Sequence, residues 1–209
     1  PGRPHTKVVP FHIDVPDRSF TIKSRDHLDG EAWTVHAAGR IPREPQDILA
    51  RQSPLPLPAR PADYTGAEHD QLTRAVGLDY GPAFRAIDRI WVENGSAFAT
   101  LCVPDAIEPE LDQVDLHPAL LDCTFQLIIQ LLKDDYVAHA GTVYVPAKID
   151  GLHYRAGRGA PRLARATLHR CNPHSMTASF SLYNAEGAPI AWIREARFNS
   201  VRLRKNPSD

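Results

Sequence analysis

One apolar stretch constrains the fold of this chain more than any other feature. Residues 116–132 read LHPALLDCTFQLIIQLL, and apolar side chains occur around almost the whole circumference of the helix that this run would form. Pro118 is typical of the first turn of a helix, where its missing N–H removes no hydrogen bond. A helix that is apolar on nearly every side must be buried on most of its surface. The sequence therefore predicts a helix that the rest of the chain encloses.

The segments on both sides of this helix have the pattern of β-strands. Residues 7–41 contain three near-alternating apolar stretches, with a turn at PDR between the first two. Asn94-Gly95 suits a type I′ hairpin turn, and a second hairpin is predicted at NAEG, residues 184–187. One long apolar helix among many antiparallel strands indicates the α+β class, with a sheet wrapped around a central helix.

Proline separates the two strand-rich parts of the chain. Many of the 19 prolines lie between Pro42 and Pro61, and this density forbids a regular helix or a central strand through most of that segment. We expect an extended linker over a surface from Pro42 to about residue 62, followed by a short helix near residues 67–77.

Composition and charge exclude several classes of function. A net charge of −1 argues against a polyanion-binding surface spread over the whole chain, and the basic stretches 154–165 and 202–205 are interpreted as solvated segments. No run approaches the roughly 18 apolar residues that cross a bilayer, and no signal-peptide pattern is present. The three cysteines form no CxxC pair, so neither a zinc site nor a disulfide framework is indicated. A cytosolic protein with reduced thiols is the preferred interpretation.

Three polar side chains interrupt the apolar run at helical spacing. Asp122, Gln126 and Gln130 are spaced i, i+4 and i+8, so they form one narrow stripe. The helix dipole favours the charged form of Asp122, whereas burial favours the protonated acid. A carboxyl group between these influences can donate or accept a proton, and Gln126 can hold its orientation. From spacing alone a structural role for Asp122 stays open, and His117 is interpreted as a structural residue at the helix start.

Three motifs in this order resemble one protein family. LDYGPAFRAIDRIW (residues 78–91), LHPALLDCTFQ (116–126) and YVPAKIDGL (144–152) are similar to the dehydratase domain of modular polyketide synthases. The earlier stretch FTIKSRDHLDGEAWTVHAAGRI looks like the last strands of that family's first hotdog unit. The resemblance implies a double hotdog whose first unit is incomplete in this chain, divided into residues 1–41 (end of the first unit), 42–66 (proline-rich linker), 67–204 (second unit with the catalytic Asp) and 205–209 (tail).

The resemblance also implies a reaction and a site. Members of the family remove water from a β-hydroxyacyl chain on the phosphopantetheine of an acyl carrier protein, and they need no further cofactor and no metal. A histidine of the first unit takes the α-proton, and an aspartate on the second unit's helix protonates the departing hydroxyl. Asp122 matches that aspartate, and Gln126 matches the residue that orients it. The residues that match the family's substrate-pocket and channel motifs are Tyr80, Gly81, Pro82, Phe84, Val145 and Pro146.

The family's catalytic histidine, in an HxxxGxxxxP motif, has no match in this chain. His36 is followed by Gly39 one position too early, so His36 is interpreted as part of a closing strand. The other nine histidines also fail the pattern: His5, His12, His27, His69, His117, His139, His153, His169 and His174. The chain is therefore a piece of a normal dehydratase, one partner of a split protein, or a degenerate domain. Retention of Asp122, Gln126 and the YGP motif favours the first two.

Partners and alternatives follow from the same resemblance. We expect contact with an acyl carrier protein, with other polyketide synthase domains and with the missing first-hotdog segment, and a homodimer is compatible with the fold. No nucleic acid or membrane partner is expected, and the expected location is the cytoplasm. The alternatives are a non-catalytic docking or scaffold module and a variant that shifts double bonds or closes rings. Three strands without their helix leave apolar surface uncovered, so the chain alone should be less stable than a whole double hotdog, or should pair with another segment.

Overall fold

The computed structural model describes residues 8–25, 32–43, 48–138 and 141–203. The chain divides into two units, unit 1 (residues 1–47) and unit 2 (residues 48–209), so the segment predicted as a linker straddles their border. Several sequence predictions lie outside the described residues: the tail at 205–209, the beginning of the first predicted strand, and the histidines His5, His27 and His139.

Unit 1 is a three-stranded antiparallel sheet in the order β1-β2-β3. The predicted turn at PDR joins the first two strands, and there the backbone N–H of Asp17 donates to Asp14 Oδ1 at 2.9 Å. His36 lies within the third strand, as predicted, with its Nε2 2.5 Å from Ser24 Oγ. The strands are Phe11–Asp14 (β1), Ser19–Ser24 (β2) and Thr34–Arg40 (β3).

One face of this small sheet is apolar and exposed. Directly paired residues share a face, and Phe11 pairs with Ile22 while Ile13 pairs with Phe20. Phe11 nevertheless remains 59% exposed and Ile13 remains 50% exposed. Unit 1 therefore has the open apolar face that the sequence predicts.

Unit 2 contains one large antiparallel sheet with helices packed against it. Its strands are Tyr64–Thr65 (β4), Ile87–Glu93 (β5), Ser96–Leu101 (β6), Thr142–Ile149 (β7), Leu152–Tyr154 (β8), Leu163–Asn172 (β9), Ser175–Tyr183 (β10) and Pro189–Arg202 (β11). Its α-helices are Gly66–Ala75 (α1), Pro118–Leu131 (α2) and Lys133–Ala138 (α3). Short 3₁₀ turns lie at Leu49–Arg51, Pro82–Phe84 and Glu108–Glu110. None of the helices in the described ranges has the length and apolar character needed to cross a membrane.

The sheet of unit 2 has the order β4-β5-β6-β9-β10-β11-β7, and β8 pairs separately with β11. Both predicted hairpins are present. Asn94 (φ 49°) and Gly95 (φ 70°) have the positive φ angles of a type I′ turn between β5 and β6. At the second hairpin, between β10 and β11, the backbone N–H of Ala188 donates to the side chain of Asn184 at 2.8 Å.

Helix α2 lies in the hydrophobic core of unit 2, as the sequence predicts. It contacts β5, β6, β9 and β10, and Leu120 and Leu127 are completely buried. Phe125 packs edge-to-face on Phe180, with the ring centroids 4.8 Å apart. The apolar character of the helix is therefore explained by the sheet that curves around it.

The structure has more helix than the sequence predicted. The prediction of one long helix and one short helix in this part of the chain was incomplete, because α3 follows α2 after a break. The break lies at Leu132, whose backbone (φ −111°, ψ 18°) leaves the α-helical region. Helix α3 has only six residues, which is too short for a helical period to stand out among strand patterns.

The start of α1 packs closely against β5. Thr65 and Glu68 form a capping box, which fixes the first turn one residue before the predicted start. A Cβ atom added at Gly66 would lie 2.0 Å from the backbone carbonyl oxygen of Ile87. Only glycine therefore allows this helix to begin so close to the strand.

We expect Gly66→Ala to lower the free energy of unfolding by about 1–3 kcal/mol, because the new methyl group must push α1 away from the backbone of β5. Gly81→Ala is the matched control, since Gly81 has φ −69° and no atom within 4 Å of an added Cβ. Urea denaturation of both variants measures the difference. Equal stability of the two variants would contradict the close contact at Gly66.

Candidate functional site

The N-terminus of α2 is fixed by a histidine cap. His117 is buried, and its Nδ1 accepts a hydrogen bond from the backbone N–H of Ala119 at 3.2 Å. Its Nε2 lies 3.2 Å from Glu110 Oε2. With Nδ1 acting as an acceptor, Nε2 carries the proton and donates to Glu110. The prediction that His117 is structural is confirmed, and the helix that carries Asp122 starts at a defined residue.

Asp122 lies one turn further along α2 and is half-buried. The amide Nε2 of Gln126 donates a hydrogen bond to Asp122 Oδ2 at 3.0 Å. The same Nε2 donates to the backbone carbonyl oxygen of Phe84 at 3.1 Å. Both N–H bonds of this amide are therefore used, one on the carboxyl group and one on the backbone. Gln126 itself is buried, which restricts the orientations available to its amide.

Burial and hydrogen bonding act on Asp122 in opposite directions. Desolvation raises the pKa of Asp122 above its usual value and is the larger influence, whereas the hydrogen bond from Gln126 lowers it. The upward effect of burial that the sequence predicts is confirmed in direction, and it outweighs the hydrogen bond from Gln126. Asp122 consequently retains a proton to higher pH than a surface aspartate does, which is the property a proton donor needs.

The YGPAF motif lies beside this carboxyl group. Phe84 provides its backbone carbonyl oxygen to Gln126 and to the thiol of Cys123, which lies 3.3 Å away. Desolvation raises the pKa of Tyr80 above its usual value, and the nearby charge of Asp122 raises it further. Burial likewise raises the pKa of the Cys123 thiol to about 12. Tyr80 and Cys123 are therefore both neutral beside Asp122 at physiological pH.

The predicted pocket residues do not all reach Asp122. Gly81 and Pro82 are exposed and lie at the start of the 3₁₀ turn, and the side chain of Phe84 is 37% exposed. Val145 and Pro146 lie on β7, paired with β11. Among the residues that the structure describes, no hydrogen bond or ring contact joins these two residues to Asp122. Their assignment to a substrate channel stays a prediction.

Sequence reasoning missed a buried histidine in this site. His69, on α1, is completely buried, and its Nε2 lies 3.4 Å from Gln126 Oε1. Its Nδ1 lies 3.2 Å from the amide Nε2 of Gln130. The polar stripe of α2 is therefore continued through a side chain of another helix. The unexplained Gln130 of the stripe was the one signal in the sequence that a further polar partner was needed.

A cavity in unit 2 lies away from the Asp122 carboxyl group. It has a volume of about 460 Å³ and opens near the N-terminus of α2, where its lining includes Leu111, Val114, His117, Leu120 and Tyr154. Asp122 is not among the residues that line it.

The raised pKa of Asp122 predicts a pH dependence of stability. Because the folded state holds this proton more tightly than the unfolded chain, stability is greatest below the unfolded pKa of Asp and decreases as the pH rises through the folded pKa. We expect Asp122→Asn to remove this pH-dependent decrease in stability, because asparagine does not ionise. The difference in unfolding free energy between variant and parent should therefore increase with pH and then level off, as measured by urea denaturation between about pH 4 and pH 8. A difference that does not change with pH would contradict the raised pKa.

Comparison with known proteins gives this site its context. Residues 48–207 match the model of the family described as polyketide synthase dehydratase N-terminal domain. Polyketide synthase GfsE of Streptomyces halstedii is 29% identical over 199 residues, which cover 88% of this chain and 5% of that protein. The spectinabilin polyketide synthase system protein NorB of Streptomyces orinoci is 32% identical over 178 residues, which cover 84% of this chain and 8% of that protein. The chain thus spans a small part of the length of these relatives.

Solved structures show the same fold. The dehydratase domain from the CurJ module of the curacin polyketide synthase superposes with a TM-score of 0.74 at 22% identity, covering 94% of this chain and 69% of that one. The dehydratase domain of PpsC from Mycobacterium tuberculosis, in complex with C12:1-CoA, gives 0.68 at 20% identity, covering 93% and 68%. The predicted α+β hotdog fold is therefore confirmed. With a family match across all of unit 2 up to residue 207, this chain belongs to the polyketide synthase dehydratase family.

Proposed function

We propose that this chain carries the acid of a dehydratase that removes water from a β-hydroxyacyl group on an acyl carrier protein. The single observation that supports this most is the Asp122 carboxyl group. It is half-buried, its pKa is raised by desolvation, and the buried amide of Gln126 holds it at 3.0 Å. A general acid requires a proton and a fixed direction in which to donate it. The raised pKa favours the first, and the hydrogen bond from Gln126 supplies the second.

The proposed step uses Asp122 together with a histidine base. The histidine takes the proton from the α-carbon, and the electrons of that C–H bond form the α,β double bond. The C–O bond at the β-carbon breaks, and the departing hydroxyl takes the proton of Asp122 and leaves as water. Donation by Asp122 prevents the release of a hydroxide ion, which is a poor leaving group. The enoyl product stays attached to the phosphopantetheine thioester.

Observations on similar proteins support an acyl substrate and a histidine base. The PpsC dehydratase domain was solved with C12:1-CoA, an acyl thioester. A histidine-to-phenylalanine mutant of the CurJ dehydratase domain is described as inactive. In this chain, we assign Tyr80, Gly81, Pro82 and Phe84 to the substrate side of the acid because the backbone of Phe84 contacts Gln126 directly. Val145 and Pro146 are assigned to the channel wall by resemblance alone.

The base in this proposal comes from outside the 209 residues. None of the ten histidines of the chain matches the HxxxGxxxxP motif. The open apolar face of unit 1 fits a further segment that packs on it, and we propose that this segment carries the histidine. An acyl carrier protein, which delivers the substrate, and neighbouring polyketide synthase domains are the proposed partners. A homodimer and a cytoplasmic location stay predictions.

A second candidate function is a non-catalytic docking or scaffold module. The observation that favours it is the same missing histidine motif, since a domain that had lost its base could keep the fold. Retention of the Asp122–Gln126 hydrogen bond inside the core counts against it, because a partly buried carboxyl group lowers stability without contributing to a scaffold.

A comparison of two proteins tests the proposal. The 209-residue chain and a longer protein that includes the preceding segment are each incubated with a β-hydroxyacyl thioester, and mass spectrometry follows the loss of one water. We expect the enoyl product to form with the longer protein and not with the 209-residue chain. Product from the 209-residue chain would refute an external base, and no product from either would support the scaffold. The position of the double bond in the product separates a dehydratase from a double-bond-shifting variant.

A further inference from the structure

We propose that His69 is a positioning residue for Asp122. Together with the backbone carbonyl oxygen of Phe84, its Nε2–H holds the amide of Gln126 in the orientation that donates a hydrogen bond to the carboxyl group. This inference rests on the proposed function, because it takes Asp122 as the acid. The hydrogen bonds that support it are independent of that function. They form a continuous chain of polar side chains that runs from Gln130 of α2 to His69 of α1 and back to α2. Its members, in order, are Gln130, His69, Gln126 and Asp122, of which the first three are buried.

The direction of this chain is set by one backbone atom. The carbonyl oxygen of Phe84 accepts hydrogen bonds and cannot donate one, and it lies 3.1 Å from the Gln126 amide. The nitrogen of that amide must therefore face Phe84 and Asp122. Its oxygen, Oε1, then faces His69 Nε2 at 3.4 Å, so this ring nitrogen must carry the proton.

The protonation state of Nδ1 follows from that of Nε2. A neutral imidazole has one donor and one acceptor, so Nδ1 of His69 is bare and accepts from the amide of Gln130 at 3.2 Å. Turning the Gln130 amide over would place its oxygen against Nδ1 and would require a second proton on the ring. Burial opposes that charge and lowers the pKa of His69. His69 is thus held neutral, with its proton on Nε2.

The orientation of the Gln130 amide lowers stability at its own oxygen atom, which indicates that the hydrogen bond from its nitrogen to His69 is important. In it, the Oε1 atom of Gln130 is buried and has no hydrogen-bond partner in the described part of the chain. An unpaired buried oxygen destabilises the fold, because it has lost its hydrogen bonds to water and gained none in return. A leucine at position 130 would avoid that loss but would leave Nδ1 of His69 without a donor. Gln130 therefore donates a hydrogen bond to the His69 ring although its own oxygen stays unpaired.

The functional consequence falls on the proton of Asp122. With Gln126 held by His69, its N–H points at Asp122 Oδ2 and lowers the pKa that burial raises. A rotated Gln126 would present an oxygen to the carboxyl group and would favour the protonated form further. The titratable groups that face Asp122 are Tyr80 and Cys123, and Asp70 faces His69. Tyr80 and Cys123 are neutral at physiological pH, so they do not replace the effect of Gln126.

Two substitutions separate this role from a purely structural one. In His69→Gln, the side-chain amide reaches the position of Nε2 and can still donate to Gln126, while the link to Gln130 is lost. In His69→Asn, the amide reaches only the position of Nδ1, so the link to Gln130 is kept and the one to Gln126 is lost. Each variant keeps one of the two hydrogen bonds of His69 and loses the other, so their stability losses should be similar.

The pKa of Asp122 is the first readout, measured in the 209-residue chain by ¹³C NMR of the aspartate carboxyl groups. We expect His69→Asn to raise this pKa by about one unit, because Gln126 Oε1 loses its partner and the amide is held less firmly in the orientation that donates to the charged carboxyl group. His69→Gln should leave this pKa nearly unchanged. In the longer protein that turns over substrate, His69→Asn should lower kcat about tenfold with little change in KM, because a carboxyl group that is less firmly oriented and holds its proton more tightly donates it less readily. ¹⁵N NMR of the parent chain should show His69 neutral with its proton on Nε2.

Defined results would overturn the proposal. Equal shifts of the Asp122 pKa in both variants, or no shift in His69→Asn, would make His69 a structural core residue. A proton on Nδ1 in the parent chain would reverse the deduced chain of hydrogen bonds, and this measurement remains decisive if a variant fails to fold. If the pKa shift is specific to His69→Asn but no protein dehydrates the substrate, the positioning stands and the proposed function fails.

Discussion

Replacing Asp122 by asparagine should reduce dehydration by at least about 100-fold in a protein that includes the missing base, because general acid catalysis contributes roughly 10² to 10⁴ in rate. The asparagine has nearly the same shape, and its carbonyl oxygen can still accept the hydrogen bond from Gln126 Nε2. It has no proton to transfer to the departing hydroxyl. The loss should therefore appear in kcat while KM changes little. The rate of enoyl formation from a β-hydroxyacyl thioester is the measurement.

A matched variant separates this effect from a general change in charge. Asp105 is exposed and lies outside α2, so Asp105→Asn removes one carboxylate without changing the helix that carries the acid. We expect it to retain the parent rate. Circular dichroism of Asp122→Asn should match that of the parent. If a well-folded Asp122→Asn enzyme kept its turnover, Asp122 would not be the acid, and another group would have to protonate the leaving hydroxyl.

The sequence predicted the parts of the fold that depend on residues close together in the chain. Helix α2 begins at Pro118 because a proline there needs no hydrogen-bond donor, and its apolar surface required burial. Asn94-Gly95 forms the predicted hairpin because both residues accept positive φ angles. The spacing of Asp122 and Gln126 placed both side chains on one helical face, where they form a hydrogen bond.

The parts that the sequence could not predict depend on contacts distant in the chain. His69 lies 57 positions before Gln126, and no periodic pattern links a residue of α1 to one of α2. The contribution of Phe84 to the site is made by its backbone carbonyl, which every residue type possesses. The family pattern had directed attention to a missing histidine, whereas the buried His69 matched no motif. Such residues are found from burial and hydrogen-bond partners, which only a structure provides.

Replacing Phe180 by alanine should have the largest effect on stability. Phe180 lies on β10 and is 2% exposed, and its ring contacts Phe125 of α2 and Phe198 of β11 at centroid distances of 4.8 and 5.8 Å. It therefore joins the central helix to two strands of the sheet. Removing the ring loses its burial and leaves a cavity that three separate elements cannot close, so we expect a loss of about 3–5 kcal/mol in unfolding free energy.

Leu152→Ala is the control for this substitution. Leu152 lies on β8 of the same sheet and is 47% exposed, so its truncation should change stability by less than about 1 kcal/mol. Urea denaturation measures the unfolding free energy of both variants. A titration of Asp122 in each variant measures whether its pKa changes. Since Phe125 lies between Asp122 and Gln126 in sequence, a loosened helix should also shift the Asp122 pKa. A small loss for Phe180→Ala, comparable to that of Leu152→Ala, would mean that the sheet does not hold α2 through this aromatic cluster.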